Sequence, residues 1–167
     1  MQRAPGSEQR LRIVIADDHS SVRRGLGHLL EGERGLEIVA EAAEVNGALR
    51  RVRVHRPDVL ILDLSMQGRS TIDAIPEIRA TSPATRIVVL TMHNEPAYAR
   101  QALKAGALGY VLKEAADSEL VEAILRAASG ESYVSPRLGV QVAAAPAQRP
   151  PDGSVSYAAS DSSAQTS

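Results

Sequence analysis

The chain has 167 residues, 44% of them apolar but only 2% aromatic, with four Tyr and neither Phe nor Trp, so its core must be aliphatic. Nineteen basic residues against 20 acidic leave a net charge of −1, too little to draw the chain onto nucleic acid or an anionic membrane. Without cysteine there is no disulfide scaffold, thiolate zinc site or cysteine nucleophile. The start, MQRAPGSEQR, has no signal-peptide core, and no apolar run nears the roughly 18 residues of a membrane span, so a soluble, cytoplasmic protein is expected.

Residues 1–10 carry no apolar pattern and are expected to be disordered. Leu11–Ala16 (LRIVIA) reads as a first strand, followed by Val22, Leu26, Leu29 and Leu30 at helical spacing. A second strand over Leu36–Ala40 precedes a helix marked by Val45, Leu49 and Val52. The third strand, Asp58–Asp63 (DVLILD), leads to a helical segment broken by Pro76, which is expected to start late or kink. The fourth, Arg86–Thr91 (RIVVLT), is followed by Asn94-Glu95-Pro96, a helix start with a capping side chain, an acid for the dipole and proline in the first turn. That helix stops at Gly106. The fifth strand is Gly109–Leu112, and a last helix from about Asp117 to Ser129 ends at Gly130. From Val140 to Ser167 there is no Leu, Ile, Met or Phe, so the folded domain is set at 11–138 with a disordered tail over 139–167.

The pattern is (βα)5. Near-continuous apolar strands alternating with helices predict an α/β fold: a doubly wound parallel sheet in the flavodoxin-like order 2-1-3-4-5. Function in such sheets sits beyond the carboxyl ends of the strands. Those ends hold Asp17 and Asp18, Asp63, Thr91 and Lys113. Taken singly, each has an ordinary explanation: a helix start, a turn cap, a β-former, a solvated cation. All of them fall on one edge of one sheet. In that strand order the three acids converge, and two carboxylates ~4 Å apart repel by about 4 kcal/mol at an effective dielectric of ~20. They need a proton or a cation, and an oxygen-only set suits a hard ion such as Mg²⁺. With Lys113 and the Thr91 hydroxyl facing it, the set suits a phosphoryl group. No glycine-rich phosphate loop is present, so a bound nucleotide is not expected.

Four stretches, ADDH at 16–19, DVLILDLSM at 58–66, VVLTMH at 88–93 and GALGYVLKEA at 106–115, make the sequence from about Leu11 to Leu138 resemble the receiver domain of bacterial two-component response regulators, in the NarL/FixJ branch. The resemblance implies that Asp63 accepts a phosphoryl group from a phosphohistidine on a sensor histidine kinase. It implies that Asp18 ligates Mg²⁺ directly and Asp17 directly or through water, with Asp63 and the backbone carbonyl of Ser65 completing the protein ligands. Lys113 would pair with one phosphoryl oxygen and Thr91 with another, drawing its loop inward, and Tyr110 would shift its ring rotamer in response. Homodimerisation on phosphorylation, and no turnover beyond slow self-dephosphorylation, follow from the same likeness.

The sequence departs from the family after the third strand, with Gln67 and Thr71 where proline and glycine are common. Met92 is bulky where the family is often small, so it is expected to screen the phosphoryl group, and His93 to tune access to it. Glu114 stands where other branches have proline, so no cis peptide is assumed there. Two rivals are weaker. A phosphohydrolase would place a second Asp where Ser65 stands, and a binding-only pseudo-receiver would not need the full Asp18, Asp63, Thr91 and Lys113 set. GESYVSPRLG looks like the junction to a helix-turn-helix module, yet no basic recognition helix follows, so no DNA-binding element is expected. A stand-alone receiver and a truncated transcriptional regulator both fit. Arg50, Arg51, Arg53, His55 and Arg56 read as a solvated helix face, and His19, His28 and His93 as too scattered for a metal site.

Overall fold

The computed structural model describes residues 9–144. Six parallel strands, β1 (Leu11–Ala16), β2 (Leu36–Ala42), β3 (Val59–Leu62), β4 (Arg86–Thr91), β5 (Gly109–Leu112) and β6 (Tyr133–Val134), form one sheet in the order β2-β1-β3-β4-β5-β6. The first five occupy the expected stretches, with β2 running two residues further, to Ala42, and β3 one residue shorter at each end. The helices are α1 (Ser20–Glu31), α2 (Val45–His55), α3 (Thr71–Thr81), α4 (Pro96–Ala105), α5 (Ala116–Ala128) and α6 (Pro136–Ala144).

Alternation along each strand decides which layer a side chain joins. Ile13, Ile15, Val59, Ile61, Val88, Leu90 and Val111 pack against Leu26 and Leu30 of α1 and Leu120, Ala123, Ile124 and Ala127 of α5. Their neighbours Val14, Leu60, Leu62, Ile87, Val89 and Tyr110 pack against α2, α3 and α4 on the other face. Both faces are covered, which is why β3 and β5 are buried at every position and read as unbroken apolar runs.

α3 does start late. Residues 63–70 precede it, Ser70 Oγ caps it by accepting the Asp73 N–H at 3.3 Å, and Pro76 lies inside it. Gly68, at φ +101, supplies the left-handed turn in that loop, three residues ahead of the position where the family has glycine. No cis peptide occurs among the described residues.

Beyond α5 the structure differs from the sequence expectation. β6 is too short to show periodicity, but it continues the parallel ladder: the Tyr133 N–H bonds the Leu108 carbonyl at 2.9 Å and the Ser135 N–H bonds that of Tyr110 at 3.0 Å. α6 then runs to Ala144, six residues past the domain boundary placed at 138. It buries Leu138 with Val134 and Val142 against the α4 layer. The remainder of the expected tail, 145–167, and residues 1–8 lie outside the described residues.

Candidate functional site

The register of the sheet assembles the site. Ala16 pairs with Leu62, and the Asp63 N–H bonds the Ala16 carbonyl at 3.0 Å, so the acids ending β1 and following β3 become neighbours. Thr91 pairs with Leu112, which sets Lys113 beside the same edge. Asp17, Asp63 and Thr91 are buried, and Asp18 is partly so. Lys113 Nζ reaches Asp17 Oδ2 at 2.8 Å and Asp63 Oδ2 at 3.5 Å. Asp63 Oδ1 accepts the Ser65 N–H at 3.3 Å, while its Oδ2 accepts no hydrogen bond although the residue is 1% exposed.

The Asp63 carboxyl is pushed above its ordinary value of 3.8. Burial is the largest cause and repulsion from Asp17 the second; Lys113 and the Ser65 N–H oppose them without winning. A buried carboxylate with an unfilled acceptor oxygen, beside a second carboxylate, is short of positive charge. Asp17, Asp18, His19 and Asp63 each place one ligand atom within 4.8 Å of the others. That donor set fits a hard divalent cation, since three of its four members offer carboxylate oxygen.

A chain of hydrogen bonds leads away from Thr91. Its Oγ1 accepts the His93 N–H at 3.2 Å, and the His93 carbonyl accepts the Tyr110 hydroxyl at 2.8 Å. Tyr110 is fully buried, and burial also raises its phenol pKa. The His93 ring packs against Tyr98 with centroids 4.3 Å apart, and its Nε2 lies 3.0 Å from Ser65 Oγ, linking the loop after β3 to the loop after β4. Met92 is 78% exposed, so no burial holds it over the site.

Two residues escape sequence reasoning. His19, set aside as one of three scattered histidines, joins the acid group: its Nδ1 is 2.8 Å from Asp18 Oδ1. Its place directly after the acid pair was the available clue. Arg23 donates to the Asp17 carbonyl at 2.6 Å and to Glu41 Oε1 at 3.0 Å, tying the first loop to β2. In sequence it is only one polar residue on an amphipathic helix.

The response regulator receiver domain, as a family, matches residues 13–125. The chain belongs to that family. The oxygen regulatory protein NreC of Staphylococcus epidermidis is 44% identical over 129 residues, 77% of this chain and 59% of that protein. The chain thus spans about three fifths of the length of the curated relatives it matches. A LuxR-family two-component response regulator from Aurantimonas sp. SI85-9A1 superposes with a TM-score of 0.77 at 39% identity, covering 81% of this chain and 96% of that one. The isolated receiver domain of RcsB from Salmonella enterica serovar Typhimurium, solved with the phosphomimetic BeF₃⁻, gives 0.73 at 30% identity, covering 79% and 98%. Receivers are signalling switches rather than enzymes of general turnover. The Asp63–Lys113 edge of this receiver is the carboxyl edge at which the sequence expects its chemistry.

Proposed function

We propose that this receiver takes a phosphoryl group on Asp63 from the phosphohistidine of a sensor histidine kinase and switches conformation for signalling. The observation that carries the proposal is Asp63 Oδ2: buried, without a hydrogen bond, and 3.5 Å from Lys113 Nζ. An Asp63 oxygen attacks phosphorus; the O–P bond forms as the N–P bond to imidazole breaks, and the imidazole leaves with that electron pair and takes up a proton. Asp17, Asp18, Asp63 and the Ser65 carbonyl would hold Mg²⁺, which supplies positive charge to the transferring group.

The receiver's own residues do the rest. Lys113 leaves its bond to Asp17 for a phosphoryl oxygen. The Thr91 hydroxyl donates to another, and the loop it leads moves with it. Because Thr91, His93 and Tyr110 are hydrogen-bonded in series, that movement reaches the Tyr110 hydroxyl and the start of α4. The phosphoryl group interacts differently with the two conformations, which is what a population shift requires. Ser65 stands where a phosphohydrolase would carry its second acid, so self-dephosphorylation is slow, and His93, tied to Ser65 and Tyr98, sets access to the acyl phosphate. The partners are a sensor kinase and, on phosphorylation, a second copy of this chain, in the cytoplasm. Among the described residues no helix could cross a membrane and no DNA-binding element is present.

The test is uptake of phosphoryl from acetyl phosphate, followed by intact mass or phosphate-affinity gel mobility, with and without Mg²⁺. Modification that requires Mg²⁺ and is absent in Asp63→Ala is expected. No uptake by a folded chain, from acetyl phosphate or from a kinase able to phosphorylate a known receiver, would overturn the proposal.

A further inference from the structure

His19 makes an all-oxygen cluster a mixed one. Its Nδ1 lies 2.8 Å from Asp18 Oδ1 and 3.3 Å from Asp17 Oδ1, and its backbone N–H bonds Asp17 Oδ1 at 2.9 Å. Two ligand atoms on one ion, each at about 2.1 Å, stand at most about 4.2 Å apart. The whole group already lies within 4.8 Å, so a shift of well under an ångström closes it. The buried Asp63 Oδ2, which accepts no hydrogen bond, is the second sign that this cluster is built for a cation.

Resting on the divalent-cation reading above, we propose that His19 is a ligand that decides which divalent ion this site holds, adding imidazole nitrogen for ions of the Ni²⁺, Co²⁺ and Zn²⁺ type. Mg²⁺ takes oxygen and gains little from a ring nitrogen, whereas borderline ions gain from every imidazole. Without an ion, Nδ1 is hydrogen-bonded to Asp17 Oδ1 at 3.3 Å. Coordination uses the other neutral tautomer, with the hydrogen on Nε2. The side chain is 62% exposed, so the ring has room to turn. Lys113 contacts Asp17 through Oδ2 and His19 through Oδ1, so the lysine and the imidazole do not compete for one oxygen.

Carboxylates alone already bind Ni²⁺ better than Mg²⁺, so the measurement that decides is the effect of His19 on each ion separately. Ni²⁺ and Mg²⁺ are titrated calorimetrically into the untagged full chain, His19→Ala and Asp63→Asn, with the visible spectrum of bound Ni²⁺ recorded alongside. In His19→Ala the Ni²⁺ Kd rises about tenfold or more and the band shift of a nitrogen ligand is lost, while the Mg²⁺ Kd stays within about twofold. Asp63→Asn weakens both ions. An unchanged Ni²⁺ Kd in His19→Ala overturns the inference. So does an equal loss for both ions, which would make His19 a residue that merely positions Asp18. Absence of Mg²⁺ binding to the unaltered chain would instead bring down the cation reading itself, and this inference with it.

Discussion

The surroundings of Asp63 work against its ionisation, and that tension can be measured. In the unfolded chain it titrates at about 3.9; in the fold, burial and Asp17 raise it. The fold therefore favours the protonated form. This contribution to stability is fully present below about pH 3.9 and is lost as pH rises through the folded value. Above that value the folded protein carries a charge that Lys113 compensates only in part. Asp63→Asn is therefore expected to stabilise the ion-free protein at pH 7 by about 1 kcal/mol, or roughly 3–5 °C in Tm, and the gap narrows as pH falls. Thermal unfolding in EDTA at several pH values checks this; a lower Tm for the variant would mean that Lys113 more than balances burial. Lys113→Met moves the other way. It leaves Asp17 and Asp63 facing each other without their cation, and the expected loss is about 1–3 kcal/mol. Adding Asp63→Asn to it restores part of that loss, because the two groups share one interaction.

At the scale of elements, Ser135 joins α6 and β6 to the rest of the fold. Its buried Oγ accepts the Leu112 N–H at 3.2 Å and donates to Glu119 Oε1 at 2.6 Å, bridging the end of β5 to α5. Ser135→Ala strands a buried N–H and a carboxylate oxygen, at a cost of about 1–3 kcal/mol by urea unfolding. Ser118→Ala, on the exposed side of α5, changes stability by less than about 0.5 kcal/mol. The first ten elements up to α5 were legible because each carries many residues of one period. β6 and α6 were not. Two residues show no alternation, and in α6 the small residues Gly139, Ala143 and Ala144 dilute the apolar stripe to Leu138 and Val142. Composition therefore placed the boundary at 138, inside a helix whose order comes from packing on α4 and from the Ser135 bridge, both tertiary facts.

For the molecule as a whole, the site was legible to the extent that strand ends are. Asp17, Asp63, Thr91 and Lys113 follow from strand order alone, because parallel pairing sets their edge. His19 and Arg23 did not follow, since their roles depend on where side chains point within a turn. The same assembly from distant stretches makes ion binding a property of the fold. The unfolded chain holds Asp17 and Asp63 far apart, so a cation on their carboxylates binds the folded state and stabilises it by RT ln(1 + [Mg²⁺]/Kd), about 1.4 kcal/mol at ten times Kd. For the unaltered chain the expected gain in Tm is roughly 4–7 °C. In Asp63→Asn one ligand oxygen and one charge are gone, so the same titration gives a much smaller rise. The two effects of this substitution have opposite dependence on Mg²⁺. The variant is the more stable protein in EDTA, and its advantage shrinks as Mg²⁺ is added, because the ion supplies the compensation that Asp63 lacks. Tm measured against Mg²⁺ for both proteins decides the matter: converging curves place the ion at the Asp63 carboxylate, and parallel curves would mean that Mg²⁺ acts elsewhere on the surface.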